Sequence, residues 1–180
     1  DYSAYFEGGI GNYDQVLAKG RISGPLSDTV RGKIAYSWQR RTGYAYNSTT
    51  RADDGDVRTI SGRASLLFEP SSDFEVLLTG DVKIDRPDTS RSPITGFANG
   101  ALVTFPAATD KYRVDTNANG LNDQTGWGTS LTARWNASEA LTIEAISAYR
   151  QFDFDLNLDT DGSPLPILDI YLDQRQRQFS

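Results

Sequence analysis

The feature that most restricts this chain is a pair of long alternating segments meeting at one tight turn, Ile22-Ser23-Gly24-Pro25-Leu26-Ser27-Asp28-Thr29-Val30. Before the turn, Val16, Ala18, Gly20, Ile22 and Gly24 make one row, with Lys19, Arg21 and Ser23 on the other. After it, Val30, Gly32, Ile34, Tyr36 and Trp38 are opposed by Arg31, Lys33, Ser37, Gln39 and Arg41. Strand side chains point to alternate faces, so a period of two sustained this long predicts strands with one apolar and one strongly polar face. Gly-Pro supplies the turn, because Pro fixes φ and Gly tolerates unusual backbone angles. The unit is a long β-hairpin, and the rest of the chain repeats it.

Residues 2–10 alternate in the same way, with Tyr2, Ala4, Phe6, Gly8 and Ile10 on one face, and Gly11-Asn12-Tyr13-Asp14 turns them into the strand at 15–24. The strand at 30–40 runs into a polar loop that ends near Thr59 and carries Asp53-Asp54-Gly55-Asp56. Alternation resumes at 60–69, turns at Pro70-Ser71-Ser72-Asp73, and is cleanest at 74–85, where Phe74, Val76, Leu78, Gly80, Val82 and Ile84 share a face. From Arg86 to Thr125 the pattern dissolves into a long loop with Pro87, Pro93 and Pro106. Trp127, Thr129, Leu131, Ala133 and Trp135 begin another hairpin, whose second strand runs from Leu141 past Tyr149, with Ile146 and Phe152 blurring its polar row. A loop near 155–173 then leads to the start of a strand at Gln174–Ser180. This makes seven strands and the beginning of an eighth.

These strands run about nine to fourteen residues, against a mode of about five or six in globular sheets. A tilted membrane-spanning strand needs roughly nine to eleven. The connections alternate between tight ones at 24–29, 70–73 and 136–140 and mostly long ones, with the short link at 11–14 the exception on the long-loop side. Tyr2, Phe68, Phe74 and Trp135 fall near the short-turn ends of the apolar rows, and Tyr36, Trp38, Trp127 and Tyr149 near the long-loop ends. Two aromatic belts and such loop asymmetry are the marks of outer-membrane barrels. A soluble β-sandwich or lipocalin-like barrel is the alternative, since alternation alone does not say which face meets water.

Composition removes several function classes. The chain has no Cys, Met or His, so thiol chemistry, disulfides and the commonest general base are absent. A net charge of -6 and the lack of any Lys/Arg-rich tract argue against nucleic acid. No apolar run is long enough for a transmembrane helix, a test that barrels escape. Asp1 falls in mid-pattern, as expected of a chain whose beginning lies elsewhere.

Gly11-Asn12-Tyr13-Asp14, Gly20, Ser23-Gly24-Pro25-Leu26-Ser27-Asp28 and Arg41-Thr42-Gly43-Tyr44 together resemble the early barrel strands of TonB-dependent outer-membrane receptors. Leu66-Leu67-Phe68-Glu69-Pro70-Ser71 and Ser147-Ala148-Tyr149-Arg150 resemble the strands that follow in that family. The resemblance implies an antiparallel, up-and-down, transmembrane β-barrel of 22 strands closed by a plug domain. It also implies import of a scarce nutrient such as siderophore-iron, cobalamin or a saccharide, powered through the TonB complex, with no chemistry on the ligand. The expected setting is the bacterial outer membrane, with its lipid bilayer, the protein's own plug domain and a small-molecule ligand as partners. Residues 1–180 would then be an internal part of the barrel domain, with the plug and the remaining strands elsewhere. The end at Phe179-Ser180 lacks the terminal aromatic residue typical of such barrels. A small outer-membrane barrel of about eight strands, structural or adhesive, is the rival reading.

Candidate sites are few. Loop aromatics Tyr44, Tyr46, Phe97, Phe105 and Tyr112 could touch an incoming ligand, because loops carry specificity on rigid scaffolds. Asp115, Asn117, Asn119 and Asp123 place oxygen side chains at positions one, three, five and nine of a calcium-like loop with Gly120 at six. Its twelfth position is Gly126 rather than Glu, and a plain Asn/Gly-rich turn explains the same residues. Asn157, Asp159, Asp161 and Gly162 repeat the idea more weakly. Glu75, Asp81 and Glu144 lack any accompanying nucleophile motif, while Arg31, Lys33, Arg63 and Arg134 are placed to line an interior.

Overall fold

The computed structural model describes residues 1–88, 110, 112–117 and 120–180. It is all-β, with eleven strands among the described residues: β1 (Ser3–Gly11), β2 (Gln15–Pro25), β3 (Val30–Arg41), β4 (Ala45–Asn47), β5 (Ala52–Asp54), β6 (Val57–Ser71), β7 (Phe74–Asp85), β8 (Arg113–Val114), β9 (Leu121–Ser138), β10 (Leu141–Asp159) and β11 (Asp169–Phe179). Eight of them form one sheet in the order β1-β2-β3-β6-β7-β9-β10-β11, each paired antiparallel with its neighbour in sequence apart from short loop strands. The other three form a small sheet, β5-β4-β8. The large sheet is open, with β1 and β11 at its two edges.

Local chemistry explains the tight turns. At Pro25–Val30 the amides of Leu26 and Ser27 both donate to the Val30 carbonyl, at 2.7 and 3.2 Å. The link from β1 to β2 places Tyr13 and Asp14 at φ of 60° and 53°, a left-handed geometry that few side chains accept and that Asp tolerates better than most. Register shifts fall only beside short turns, between Phe68 and Ser71 and between Leu141 and Thr142. Elsewhere the pairing is unbroken, so every apolar row meets the apolar row of its neighbour.

Two expectations need correction. The last hairpin is far longer than alternation suggested: β9 has 18 residues and β10 has 19, and the connection expected at 155–173 shrinks to residues 160–168. Short strands β4, β5 and β8 also lie within stretches that composition marked as loops. Among the described residues only Ala45 and Val114 are buried hydrophobic side chains. Among the described residues no second layer covers the large sheet, and Ile22, Ile34 and Trp135 stay 57%, 58% and 50% exposed.

Candidate functional site

Registration gives the sheet two chemically distinct faces. One row across it reads Phe6, Gly20, Tyr36, Gly62, Val82, Trp127 and Gln151, and the next toward the short turns reads Ala4, Ile22, Ile34, Ala64, Gly80, Thr129 and Tyr149. From these rows to the short-turn end, no charged side chain occurs on this face of any strand from β1 to β10. Aromatic rings bound it. Phe74 and Trp135 are direct partners at one end, and the rings of Trp127 and Tyr149 meet at 5.3 Å at the other. Trp127 and Trp135 are eight residues apart, roughly 27 Å of extended strand before any tilt. An outer-membrane barrel carries an apolar band of about 25 Å.

The opposite face is polar and joined by ion pairs between strands. Lys19 meets Glu7 at 3.0 Å and Arg31 meets Glu69 at 2.7 Å. Arg134 sits between Glu144 at 3.0 Å and Glu75 at 3.8 Å. Asp81 is shared by Arg63 at 3.5 Å and Arg150 at 2.9 Å. Arg150 reaches Asp81 across β9, over Gly128, which stands in register between them. A Cβ at Gly128 would lie 2.9 Å from the Tyr149 carbonyl and 3.3 Å from the Arg150 guanidinium, so this glycine leaves the passage open. Such pairs, about half or more exposed on the cation's side, add little stability individually. They keep a charged wall ordered without placing charge on the apolar face.

Beyond Arg150 strand β10 inverts its polarity, while β9 keeps the small or polar Gly126, Gln124 and Asn122 opposite its Phe152, Phe154 and Leu156. On the face that was apolar, β10 continues with Gln151, Asp153, Asp155, Asn157 and Asp159, and Asp153 pairs with Arg175 of β11. On the face that was polar it continues with Phe152, Phe154, Leu156 and Leu158. The rings of Phe152 and Phe154 stack at 6.3 Å, and Leu156 and Leu158 register with Leu172 and Ile170. At about 3.4 Å per residue, 19 residues extend roughly 65 Å, well past a band that needs nine to eleven. The projecting end therefore presents an apolar, aromatic wall above the charged one. Sequence reasoning passed over this wall, although Ile146 and Phe152 breaking the polar row were its signal.

Of the loop aromatics, the structure brings three to one place. Tyr46 lies on β4 and its amide donates to the Tyr112 carbonyl at 2.8 Å, just ahead of β8. Arg113 lies over the Tyr46 ring at 5.7 Å and Arg41 over the Tyr44 ring at 5.5 Å. Phe97 and Phe105 lie outside the described residues. Asn47 clamps this small sheet together: it is fully buried, and its Nδ2 donates to the Thr116 carbonyl at 3.1 Å and to Thr116 Oγ1 at 2.7 Å. Its Oδ1 accepts from the amides of Thr49 and Thr50 at 3.0 and 3.2 Å. Gly43 is required beside it, since a Cβ there would lie 2.3 Å from the Asp54 carbonyl oxygen. Nearby, the Asp88 amide donates to Asp56 Oδ1 at 2.8 Å. Burial, with the charges of Asp56 and Asp54, pushes the Asp88 carboxyl up to about 6.

Of the calcium-like residues, Asn117 and Asp123 turn to different partners. Asp123 is in β9 and faces Arg86 at 3.6 Å, Asp115 is exposed, and Asn119 lies outside the described residues. Asn117 turns to the second oxygen-rich segment, with its Nδ2 3.3 Å from Asp169 and its amide 3.1 Å from the Ser163 carbonyl. Within that segment Asp159 Oδ1 accepts from the Gly162 amide at 2.9 Å and Asp161 accepts from Ser163 and Leu168. Among the described residues, no group of three or more His, Cys, Asp or Glu is arranged to hold a metal ion.

No protein-family model and no curated protein matches the sequence. The structure is similar to the crystal structure of the ferric yersiniabactin uptake receptor FyuA from Yersinia pestis, with a TM-score of 0.76 and 19% sequence identity. The match covers 99% of this chain and 27% of that one, so the chain spans about a quarter of the receptor's length. At this identity the likeness establishes fold: an antiparallel, up-and-down sheet similar to part of an uptake-receptor structure.

Proposed function

We propose that residues 1–180 form part of the barrel wall of a TonB-dependent outer-membrane receptor that imports a scarce small molecule. The observation that carries this reading is the pair of faces: an uncharged, aromatic-bounded face crossing the sheet, backed by an ion-paired polar face. A sheet that meets hydrocarbon on one side and water or a plug on the other needs this arrangement. Its open edges, β1 and β11, would be costly in lipid unless further strands of the intact protein pair with them. The likeness to an uptake receptor supports the same reading.

In this account the charged wall of Lys19, Arg63, Asp81, Arg134 and Arg150 faces the lumen and holds a plug domain through charge-assisted hydrogen bonds. The apolar wall of Phe152, Phe154, Leu156 and Leu158, with Tyr44, Tyr46 and Tyr112 in the loops, meets the ligand on its way in. Transport then proceeds by binding and release, with no covalent step. Two measurements test this. The native protein extracted from its membrane should have about four times the mass of this 19.8 kDa segment. Charge reversal at Arg63 or Arg134 in that protein should loosen the plug and let ions leak. A native mass near that of the segment, or normal channel closure with unchanged uptake in both variants, contradicts the proposal.

A further inference from the structure

Four oxygen-bearing side chains from three segments come together at the far end of the β10–β11 hairpin. Asp159 and Asp169 are direct cross-strand partners. Such partners stand about 4.5–5.5 Å apart at Cβ, close enough for both carboxylates to share one ion. Asn157 lies two residues before Asp159 on β10, so it shares their face. Asn117 arrives from the loop after β8 and donates from Nδ2 to Asp169 Oδ2 at 3.3 Å. The acceptors here outnumber the hydrogens that serve them. Asn117 Oδ1, Asn157 Oδ1 and Asp169 Oδ1 are fully buried and accept no hydrogen bond among the described residues. Asp159 is 2% exposed, and its Oδ1 accepts from the Gly162 amide at 2.9 Å. Buried acceptors are costly to leave unserved, and native structures give nearly all of them a protein group, a water or an ion. A bridging water has only two hydrogens to donate and cannot serve three acceptors at once. Residues 159–169 hold three Asp and no Lys or Arg, and like charges directly opposite repel, so the cluster gains from a cation. The ion pairs of Arg175 with Asp153 and of Arg86 with Asp123 lie further down the hairpin, toward its short turn.

We propose that Asn117, Asn157, Asp159 and Asp169 form a calcium site that fastens the loop after β8 to the projecting hairpin. Calcium takes about six to eight oxygen ligands in flexible geometry, and carboxylates, amide oxygens and backbone carbonyls all serve it. Magnesium holds to a strict octahedron and gives up its waters reluctantly, which suits an irregular site drawn from three segments poorly. The chain has no His or Cys, the ligands that zinc and copper favour. The site keeps only Asn117 from the consecutive pattern at 115–123 and takes its charge from the hairpin instead. Beside Asn117, Thr116 receives the Asn47 amide of the small sheet through its carbonyl and Oγ1. The ion thereby ties the sheet that carries Tyr46 to the wall formed by Phe152, Phe154, Leu156 and Leu158.

The test uses the intact protein in detergent, stripped with a chelator and then given calcium chloride or magnesium chloride. Calcium should slow hydrogen exchange at residues 113–117 and 157–169, and magnesium at the same concentration should not. Asp169→Asn and Asn157→Leu should each weaken calcium binding, measured by calorimetry, by about 10-fold or more, since even outer-shell partners of a metal cost about 10–100-fold when lost. Asp155→Asn, on the same face but nearer the short turn, should bind calcium as the unaltered protein does. Exchange that is the same with calcium and with chelator, equal protection by magnesium, or unchanged affinity in both variants overturns the site.

Discussion

The two halves of the β9–β10 hairpin share one register, yet strand β10 sorts its side chains in opposite directions in the two. Near the short turn, Leu131, Ala133, Trp135, Ile143 and Ala145 share one face, and Thr132, Arg134 and Glu144 occupy the other. Past Arg150, the first face carries Asp123, Asp155 and Asn157, and the second carries Phe152, Phe154 and Leu156. Hydrogen bonding is the same in both halves, so on the barrel-wall reading proposed above the inversion marks a change of surroundings. In the lower half the apolar side chains turn away from the charged wall, and in the upper half they turn over it. A strand that crosses from hydrocarbon into water behaves in this way, because nothing outside the bilayer demands an apolar outer surface.

The largest expected effect breaks that contrast in the lower half. Leu131→Arg places a charge on the uncharged face and should destabilise the intact protein in lipid vesicles by about 2–4 kcal/mol. Ser130→Arg, one residue along on the polar face, should cost far less. Denaturant unfolding of the two variants in vesicles compares them directly, and equal costs would remove the distinction between the faces. In the upper half, Asp155→Leu should be tolerated.

A smaller effect is expected at the loop clamp. Asn47→Ala deletes bonds to Thr116, Thr49 and Thr50 and leaves their buried partners without it, at a cost of roughly 1–3 kcal/mol. Hydrogen exchange should therefore quicken at residues 45–47 and 113–116, with no change in the lower half of β9. The smallest effect is one of pH. The Asp88 carboxyl is raised to about 6 by burial and by Asp56 and Asp54, so its folded form binds a proton that the unfolded chain, near 3.8, does not. This contribution favours the ordered loop at low pH and is lost as pH rises through 6. Once the intrinsic fall of exchange with pH is divided out, protection of the amides near Asp88 should rise between pH 7 and 5, and Asp88→Asn should remove that rise.

The lower half was legible from sequence because its two faces differ in polarity at most steps, with Leu77 and Ile146 as exceptions on the polar side. Val76, Leu78, Gly80 and Val82 against Glu75, Thr79, Asp81 and Lys83 identify a strand with two unlike faces. The upper half was not, for the same periodic reason: the period of two persists through Phe152, Phe154, Leu156 and Leu158, but five polar residues on the other row give it the composition of a solvated loop. Strands β4, β5 and β8 have only two or three residues and depend on contacts such as Asn47 with Thr116, 69 positions apart, which no local pattern encodes.

Everything here depends on which face meets lipid. The absence of cysteine makes this measurable with single substitutions in the intact protein, in its own membrane. Leu131→Cys and Ala64→Cys lie on the uncharged face, and Ser130→Cys and Ser65→Cys lie on the ion-paired face. With a fluorophore attached at each site, lipid-borne quenchers should extinguish the first pair and leave the second, while an aqueous quencher does the opposite. Quenching of Ser130 and Ser65 by lipid, or of all four sites from water alone, would contradict the account.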